Sequence, residues 1–406
     1  MDTAAMLKML QDPMGVPFFP QVFDALMVLT FALHILCVNL TLGALAVAVW
    51  GRLRPGTGWD RLSPALARTA TASVSAAIVL GVAPLLFVQV IYDPFWYAAN
   101  LLSADWVIGF VLVMIAAFWS AYLFYLGGKE NRGPLAYGFL SLGLFVVAGV
   151  IMHALSVQLL HPEKWLGWYQ SVGGAETSGS ALHAFEPARF LHFMIPALTV
   201  IGIYMMFYAW YLEPRADADR AHLDWTAKAG AGLAFWSALA QGAVGAWWLL
   251  TLPKDFHFYR SPFLMGGAGL GIVMIALLAH IRFGAKRPQA FAWPAALMML
   301  VTVLGMATTR EALRQVYVGV FGYTIHGHRL TLDWASTVLF SGTFVMGVSV
   351  IAYQMSVAFL CGRKAGKWEA GPRLQAWGRI SIGLLIAWIA VVAGLGVVLT
   401  LRQHGL

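Results

Sequence analysis

The chain has 406 residues, 60% of them hydrophobic and only 11% charged. Soluble domains carry about 25% charged residues, so this chain cannot clothe itself in polar surface and the bilayer must act as its solvent. A water-soluble enzyme and a nucleic-acid-binding protein are both excluded, and the formal net charge of +8 reads as Lys and Arg that hold loops on the cytoplasmic side. The two cysteines, Cys37 and Cys361, lie within and at the end of apolar stretches. Neither a disulfide framework nor a paired-cysteine metal site is expected from them. Asp2 to Gln21 is a polar-to-amphipathic lead-in without the signature of a cleaved signal.

A membrane-spanning helix needs roughly 20 mostly apolar residues. Ten such stretches follow in order: 22–50, 66–92, 106–127, 134–160, 189–212, 227–252, 262–282, 291–309, 333–360 and 378–401. The fold class expected is an all-α integral membrane protein, one transmembrane domain over 1–406. The loops sort by charge. Arg52, Arg54 and Arg61 follow the first span, Lys129 and Arg132 the third, and Arg215 and Arg220 the fifth. Arg282, Lys286 and Arg287 follow the seventh, and Arg363, Lys364, Lys367 and Arg373 the ninth. The alternate loops are poorer in these residues, except that Arg310, Arg314 and Arg329 follow the eighth span. Odd-numbered spans should therefore end in the cytoplasm, with both termini outside. The longest outer loop, His161 to Ala188, carries Trp165, Trp168 and Tyr169, which suit an interfacial belt or a docking surface. No fixed-period repeat and no low-complexity segment is present.

Ionisable side chains inside a membrane are costly and are functional candidates by default. Of eleven histidines, His222 and His404 fall in a loop and at the terminus, and His280 near the inner end of the seventh span. His161, His257, His326 and His328 lie in or beside outer loops. His34, His153 and His192 lie within spans. His34 sits in the outer half of the first span, in the run HILCVNLTLG. His192 is in the first turn of the fifth span, Met265 in the first turn of the seventh, and Glu311 and Arg314 at the outer edge of the eighth. Four groups able to ligate iron thus converge on one leaflet. Imidazole and thioether suit low-spin haem iron, and a His or carboxylate can hold a high-spin haem.

These residues resemble the motifs of subunit I of the cytochrome bd oxidases, in order along the first nine spans. His34-Ile-Leu-Cys-Val-Asn-Leu-Thr-Leu-Gly43 resembles the family's first helix, where a His precedes Pro-Leu-Thr-Leu-Gly. Gly81-Val82 leading to Tyr92-Asp-Pro-Phe-Trp-Tyr97 resembles the second. Arg189-Phe-Leu-His192 matches the Lys-Phe-x-His that begins the fifth, and Phe263-Leu-Met265-Gly-Gly the Met before a Gly-rich stretch in the seventh. Glu311-Ala-Leu-Arg314-Gln315-Val-Tyr317 resembles Glu-x-x-Arg-Gln-Pro-Trp at the end of the eighth. The resemblance implies a nine-helix haem-binding core over 22–360, with 378–401 as an additional helix. It implies His192 and Met265 as the axial pair of a low-spin haem b, and His34 and Glu311 as ligands of a high-spin haem pair. Arg314 would neutralise haem propionates or Glu311, and Gln315 completes that motif. Two or three haems b, a place in a bacterial inner membrane and a second membrane subunit of related fold are further implications.

The sequence departs from the family in three places. The long outer loop that binds quinol between spans six and seven is replaced by about ten residues, Pro253 to Pro262, so electrons should arrive from a periplasmic c-type cytochrome. The third span has no acid around Met114 to Phe118, Asp105 stands only at its edge, and Gln89 takes the place of a second-helix glutamate. This puts haem d and the proton supply in question. A tenth span and His153 are additions, and His153 reads as either a haem ligand or a hydrogen-bonded core residue. Two functions remain open: a bd-like oxidoreductase reducing oxygen or another small oxidant at a high-spin haem, and a b-haem electron relay in a larger assembly. A transporter fits poorly, because the polar groups gather toward one face and not near the midplane.

Overall fold

A computed structural model of the chain describes residues 2–128, 135–171 and 174–403; Lys129, Arg132 and His404 lie outside the described residues. Helices make up 82% of the chain. Among the described residues, ten are long and apolar enough to cross a membrane: Pro20–Arg52, Gly58–Ile91, Ala104–Gly127, Leu135–Gln158, Pro187–Leu212, Arg220–Thr251, Pro262–Gly284, Pro288–Gly319, Trp334–Gly362 and Pro372–Arg402. They are spans 1 to 10 below. A helix satisfies its own backbone, which is why apolar runs of this length fold so in lipid. The protein is an all-α membrane protein.

Several helices outrun the apolar stretches that announced them. Span 2 begins at Gly58 and span 6 at Arg220, because a helix does not stop where its residues turn polar. His222, expected in a loop, is therefore helical and stacks on Trp225 at 5.6 Å. Span 8 runs on to Gly319, so Arg310 and Arg314, which looked like an exception to the loop-charge rule, belong to a helix and not to a loop.

Spans 1 to 8 and their connections form one compact unit, Met1–Trp210 with Ala221–Leu330; Tyr211–Arg220 and Thr331–Leu406 form a second. The division falls after the eighth span rather than after the ninth. In the second unit, spans 9 and 10 pack on each other, with the ring of Trp388 against Gly342 and that of Tyr353 against Gly378.

The first unit packs through small residues, as bilayer helices do. A Cβ on Gly202 of span 5 would stand 2.6 Å from the Gly230 carbonyl oxygen of span 6, so the two backbones touch. One apolar core joins spans 1, 2, 3, 4 and 5. A second lies where the odd-numbered spans begin, which we call the N-terminal face. There Phe95, Trp165, Tyr92 and Leu313 pack together. Trp165, expected in an interfacial belt or docking surface, is buried in this core and donates from its indole nitrogen to the Gln158 carbonyl at 3.0 Å. Trp168 stacks on His183 at 5.3 Å, and Tyr169 is exposed.

The chain ahead of span 1 is a strap across this face. A helix, Thr3–Leu10, buries Met6 and Leu7 in the second core. Gln11 then meets His328 at 2.8 Å, the Asp12 amide donates to Asp93 at 2.6 Å, and the Val16 amide donates to the Arg329 carbonyl at 2.9 Å. The connection between spans 6 and 7 is short, two 3-10 turns over Lys254–Phe256 and Phe258–Arg260.

Candidate functional site

His34 and Glu311 head the two polar clusters of the first unit. His34 projects from span 1 toward span 2, and its Nδ1 lies 2.9 Å from the Ala77 carbonyl oxygen. A carbonyl only accepts, so Nδ1 carries the proton and the neutral ring keeps its lone pair on Nε2. An imidazole held this way is the form that ligates a metal. The ring lies over Gly81, where a Cβ would stand 2.8 Å from Cε1. The glycine in the Gly81-Val82 pair therefore has a physical reason, since it vacates the space that the imidazole fills.

Glu311 and Arg314, one turn apart on span 8, are 4% and 6% exposed and form an ion pair at 3.1 Å. Tyr92, just past the end of span 2, donates its hydroxyl to the other Glu311 oxygen. Burial, and then the neighbouring Glu311 carboxylate, push that phenol well above its ordinary pKa, so it stays a donor. Arg314 also reaches Met27 Sδ at 3.5 Å and lies 5.0 Å over the Tyr92 ring. Gln315 donates to Asp24 of span 1 at 3.0 Å. Arg310 caps the Phe31 ring at 4.2 Å, and Phe31 is one helical turn from His34. Span 8 thus lays Arg310, Glu311, Arg314 and Gln315 along the N-terminal part of span 1.

A third guanidinium joins this charge cluster. Arg189 of span 5 is buried, pairs with Glu186 at 3.7 Å and lies within electrostatic reach of Arg310 and Arg314. Its Nε is buried without a protein partner. Buried donors are normally satisfied, so this orphan marks a place for an acceptor such as a carboxylate. Sequence reading missed Tyr92, Asp24 and Arg189 as members of the cluster. The residue types carry no signal by themselves; only the packing of spans 1, 2, 5 and 8 unites them.

His192 is arranged differently. Pro196 follows four residues later and has no N–H, so the His192 carbonyl loses its helical donor. Gln241 of span 6 supplies one at 2.7 Å, and the same amide nitrogen lies 2.9 Å from His192 Nδ1. The carbonyl settles which end of the Gln241 amide points this way, since an oxygen there would face another oxygen. Nδ1 therefore accepts, and the proton sits on Nε2. The ring is laid over Gly245, where a Cβ would stand 2.9 Å from Cε1, and packs on Trp248 at 5.3 Å.

Met265 is 65% exposed. Gly267, two residues on, faces Thr309 of span 8, and two residues turn a helix by about 200°, so Met265 points away from span 8. The structure brings Glu311, Arg314 and Gln315 together at the N-terminal end of span 1, with His34 further along that span against span 2, and the contacts of His192 are with span 6 and not with Met265. His153 is buried against Phe185 and Phe190, and its Nε2 accepts from the Glu186 amide at 3.2 Å. That contact serves the start of span 5 and engages one of the two ring nitrogens. No group of three His, Cys, Asp or Glu that could hold a bare metal ion occurs among the described residues. No family model, curated protein or solved structure matches the chain.

Proposed function

We propose that this chain is a haem-binding membrane subunit of a respiratory oxidoreductase, similar in plan to subunit I of the cytochrome bd oxidases. It takes electrons from a periplasmic c-type cytochrome and reduces oxygen. The observation that carries the reading is His34: a membrane imidazole with its proton fixed on Nδ1 by a backbone carbonyl and its ring seated on a glycine. Arg310 caps the Phe31 ring one helical turn from His34 and interacts in turn with Arg314 and with Arg189, whose Nε is buried without a partner. A histidine for the iron and cations for the carboxylates are what a haem b calls for. When bound, the haem supplies an iron position open to oxygen. His34 would hold the iron and Arg189, Arg310 and Arg314 would neutralise the carboxylates of the haem, while Tyr92 and Arg314 keep Glu311 oriented.

At His34 the free Nε2 supports the reading, while both Glu311 oxygens are taken by Arg314 and Tyr92. The other pair does not fit: His192 presents a protonated Nε2 and Met265 faces outward, so the two are not set to share an iron. The short turns between spans 6 and 7 leave no long loop for quinol and favour a protein donor at the N-terminal face, which the positive-inside pattern makes periplasmic. A second membrane subunit in a bacterial inner membrane completes the proposal.

One observation favours the relay reading instead. Span 3 carries no acid between its exposed Asp105 and its far end, and oxygen reduction consumes protons. A reduced-minus-oxidised spectrum of the purified complex, with and without carbon monoxide, separates the two. The expected outcome is a carbon monoxide-sensitive band that disappears in His34→Ala. Only inert b-type bands would make the chain a relay, and the absence of haem would sink both readings.

A further inference from the structure

We propose that Gln11, His328 and Tyr323 are positioning residues for Glu311: hydrogen bonds that begin on the strap fix the bend after span 2, and with it Tyr92, whose hydroxyl holds the Glu311 carboxylate. The consequence for turnover rests on the oxidase reading above; the positioning itself does not.

Tyr92 is the joint between two helices. Its backbone leaves the helical region, at φ −122° and ψ 37°. Its amide closes span 2 on the Val88 carbonyl at 2.9 Å, and its carbonyl accepts from the Trp96 amide of the short helix Asp93–Leu101 at 2.8 Å. At such a break the carbonyls that end the first helix need donors from outside it, and those donors set how the chain bends. The strap grips both flanks of the joint. On one side the Asp12 amide donates to the Asp93 carboxylate at 2.6 Å. On the other, the carbonyl of Ile91, the last residue of span 2, accepts from the Tyr323 hydroxyl. The Tyr323 ring also lies 6.1 Å from the ring of Tyr92 and 4.8 Å from that of Phe95, so it supports Tyr92 through the side chains as well.

The direction of each hydrogen bond from strap to joint follows from the last one. Tyr323 has a single hydroxyl hydrogen and the Ile91 carbonyl can only accept, so that hydrogen goes to Ile91. The Tyr323 oxygen must then accept from His328 Nε2, which lies 2.8 Å away. Burial lowers the pKa of His328 from its ordinary value, so near neutral pH the ring carries one hydrogen and Nδ1 is left to accept. Gln11, at 2.8 Å, therefore turns its amide nitrogen toward Nδ1. His328 takes a hydrogen bond from the strap and gives one to Tyr323.

At its far side the joint meets the ion pair. Tyr92 donates to one Glu311 oxygen and Arg314 pairs with the other at 3.1 Å. A Tyr92 that shifts leaves half of a buried carboxylate without a donor, which is costly and frees the side chain to turn about Arg314. A cap and a strap also serve stability, but stability alone does not require both ties of the strap to flank the one residue that holds Glu311.

Two measurements on the full chain in its purified complex test this. With 3-fluorotyrosine placed at position 92, the fluorine resonance reports the surroundings of that hydroxyl. Gln11→Leu, three hydrogen bonds removed from Ile91, should move the resonance toward its position in Glu311→Gln, and Tyr323→Phe should do the same. Oxygen reduction in Gln11→Leu should fall by about tenfold or more, with haem content unchanged, because a displaced group is felt far from the change that displaced it. A resonance that stays at the wild-type position in Gln11→Leu overturns the positioning. A resonance that moves while turnover holds overturns the link from the strap to the site. A complex without haem, or one that does not reduce oxygen, overturns the function proposed above, and the fluorine resonance still decides the positioning.

Discussion

His34 and His192 use the same device at the residue scale, an imidazole laid over a glycine of the next span. Gly81 and Gly245 are the two positions, and a methyl group at either would stand within 3 Å of the ring. Overpacking a filled site costs about 1–3 kcal/mol. Gly81→Ala should lower the thermal stability of the detergent-solubilised protein by that order and tilt the ring off the Ala77 carbonyl. On the haem reading it should also weaken the carbon monoxide-sensitive band. An unaltered melting temperature and spectrum would show that the contact is slack. The two rings differ in which nitrogen carries the proton, and this difference, invisible in the letters His-Phe or His-Ile, separates a ring ready to ligate from one that is occupied.

Span 5 and the strap show how elements are held by one another. Pro196 breaks the hydrogen-bond ladder of span 5, and Gln241 repairs it from span 6. Gln241→Leu should therefore leave a buried carbonyl unpaired, at about 1–3 kcal/mol. Adding Pro196→Ala restores a donor four residues on and should recover part of that loss, measured by denaturant unfolding of the two variants. If the second change deepens the loss instead, the repair is not what Gln241 does. The strap titrates. Burial raises the Asp93 carboxyl to about 6 from its ordinary value of 3.8, with Asp12 beside it. The folded state thus binds the proton more tightly, and the strap loses stability as pH rises through that interval. His328 runs the other way. Burial pulls its ring below 6.5, so its contribution is present above that value and is lost as pH falls through the lowered one. Amide exchange at Asp12 and Val16, corrected for intrinsic rates, should quicken between the lower and upper ends of the Asp93 window. In Asp93→Asn only the opposite trend from His328 should remain.

Over the whole molecule the charges sort by face. The ends of spans and the connections after spans 1, 5, 7 and 9 carry the Arg and Lys clusters, whereas Arg310 and Arg314 lie within span 8, Arg314 buried and paired with Glu311. The rule that positive loops stay in the cytoplasm predicts both termini on the periplasmic side. A phosphatase reporter fused after Leu406 should be active, and one inserted after Lys286 silent. The reverse pattern would turn the protein over and put the donor, the strap and the buried charge cluster on the cytoplasmic side.

Residue order alone determined that the chain is a bundle of ten apolar helices, because hydropathy over some twenty residues is a local property that any lipid environment reads alike. It also singled out His34, His192, Glu311 and Arg314 as costly groups within apolar spans. Tertiary structure decided which of them act together. The tautomer of each histidine depends on a carbonyl or amide from another helix, the helical setting of Arg310 and the burial of Arg314 on where span 8 ends, and the exposure of Met265 on how span 7 is rotated. Thr69 and Ser73 of span 2 are present in the letters, but their partners, Tyr204 and Thr41, lie on spans 5 and 1 and are known only once those spans are packed.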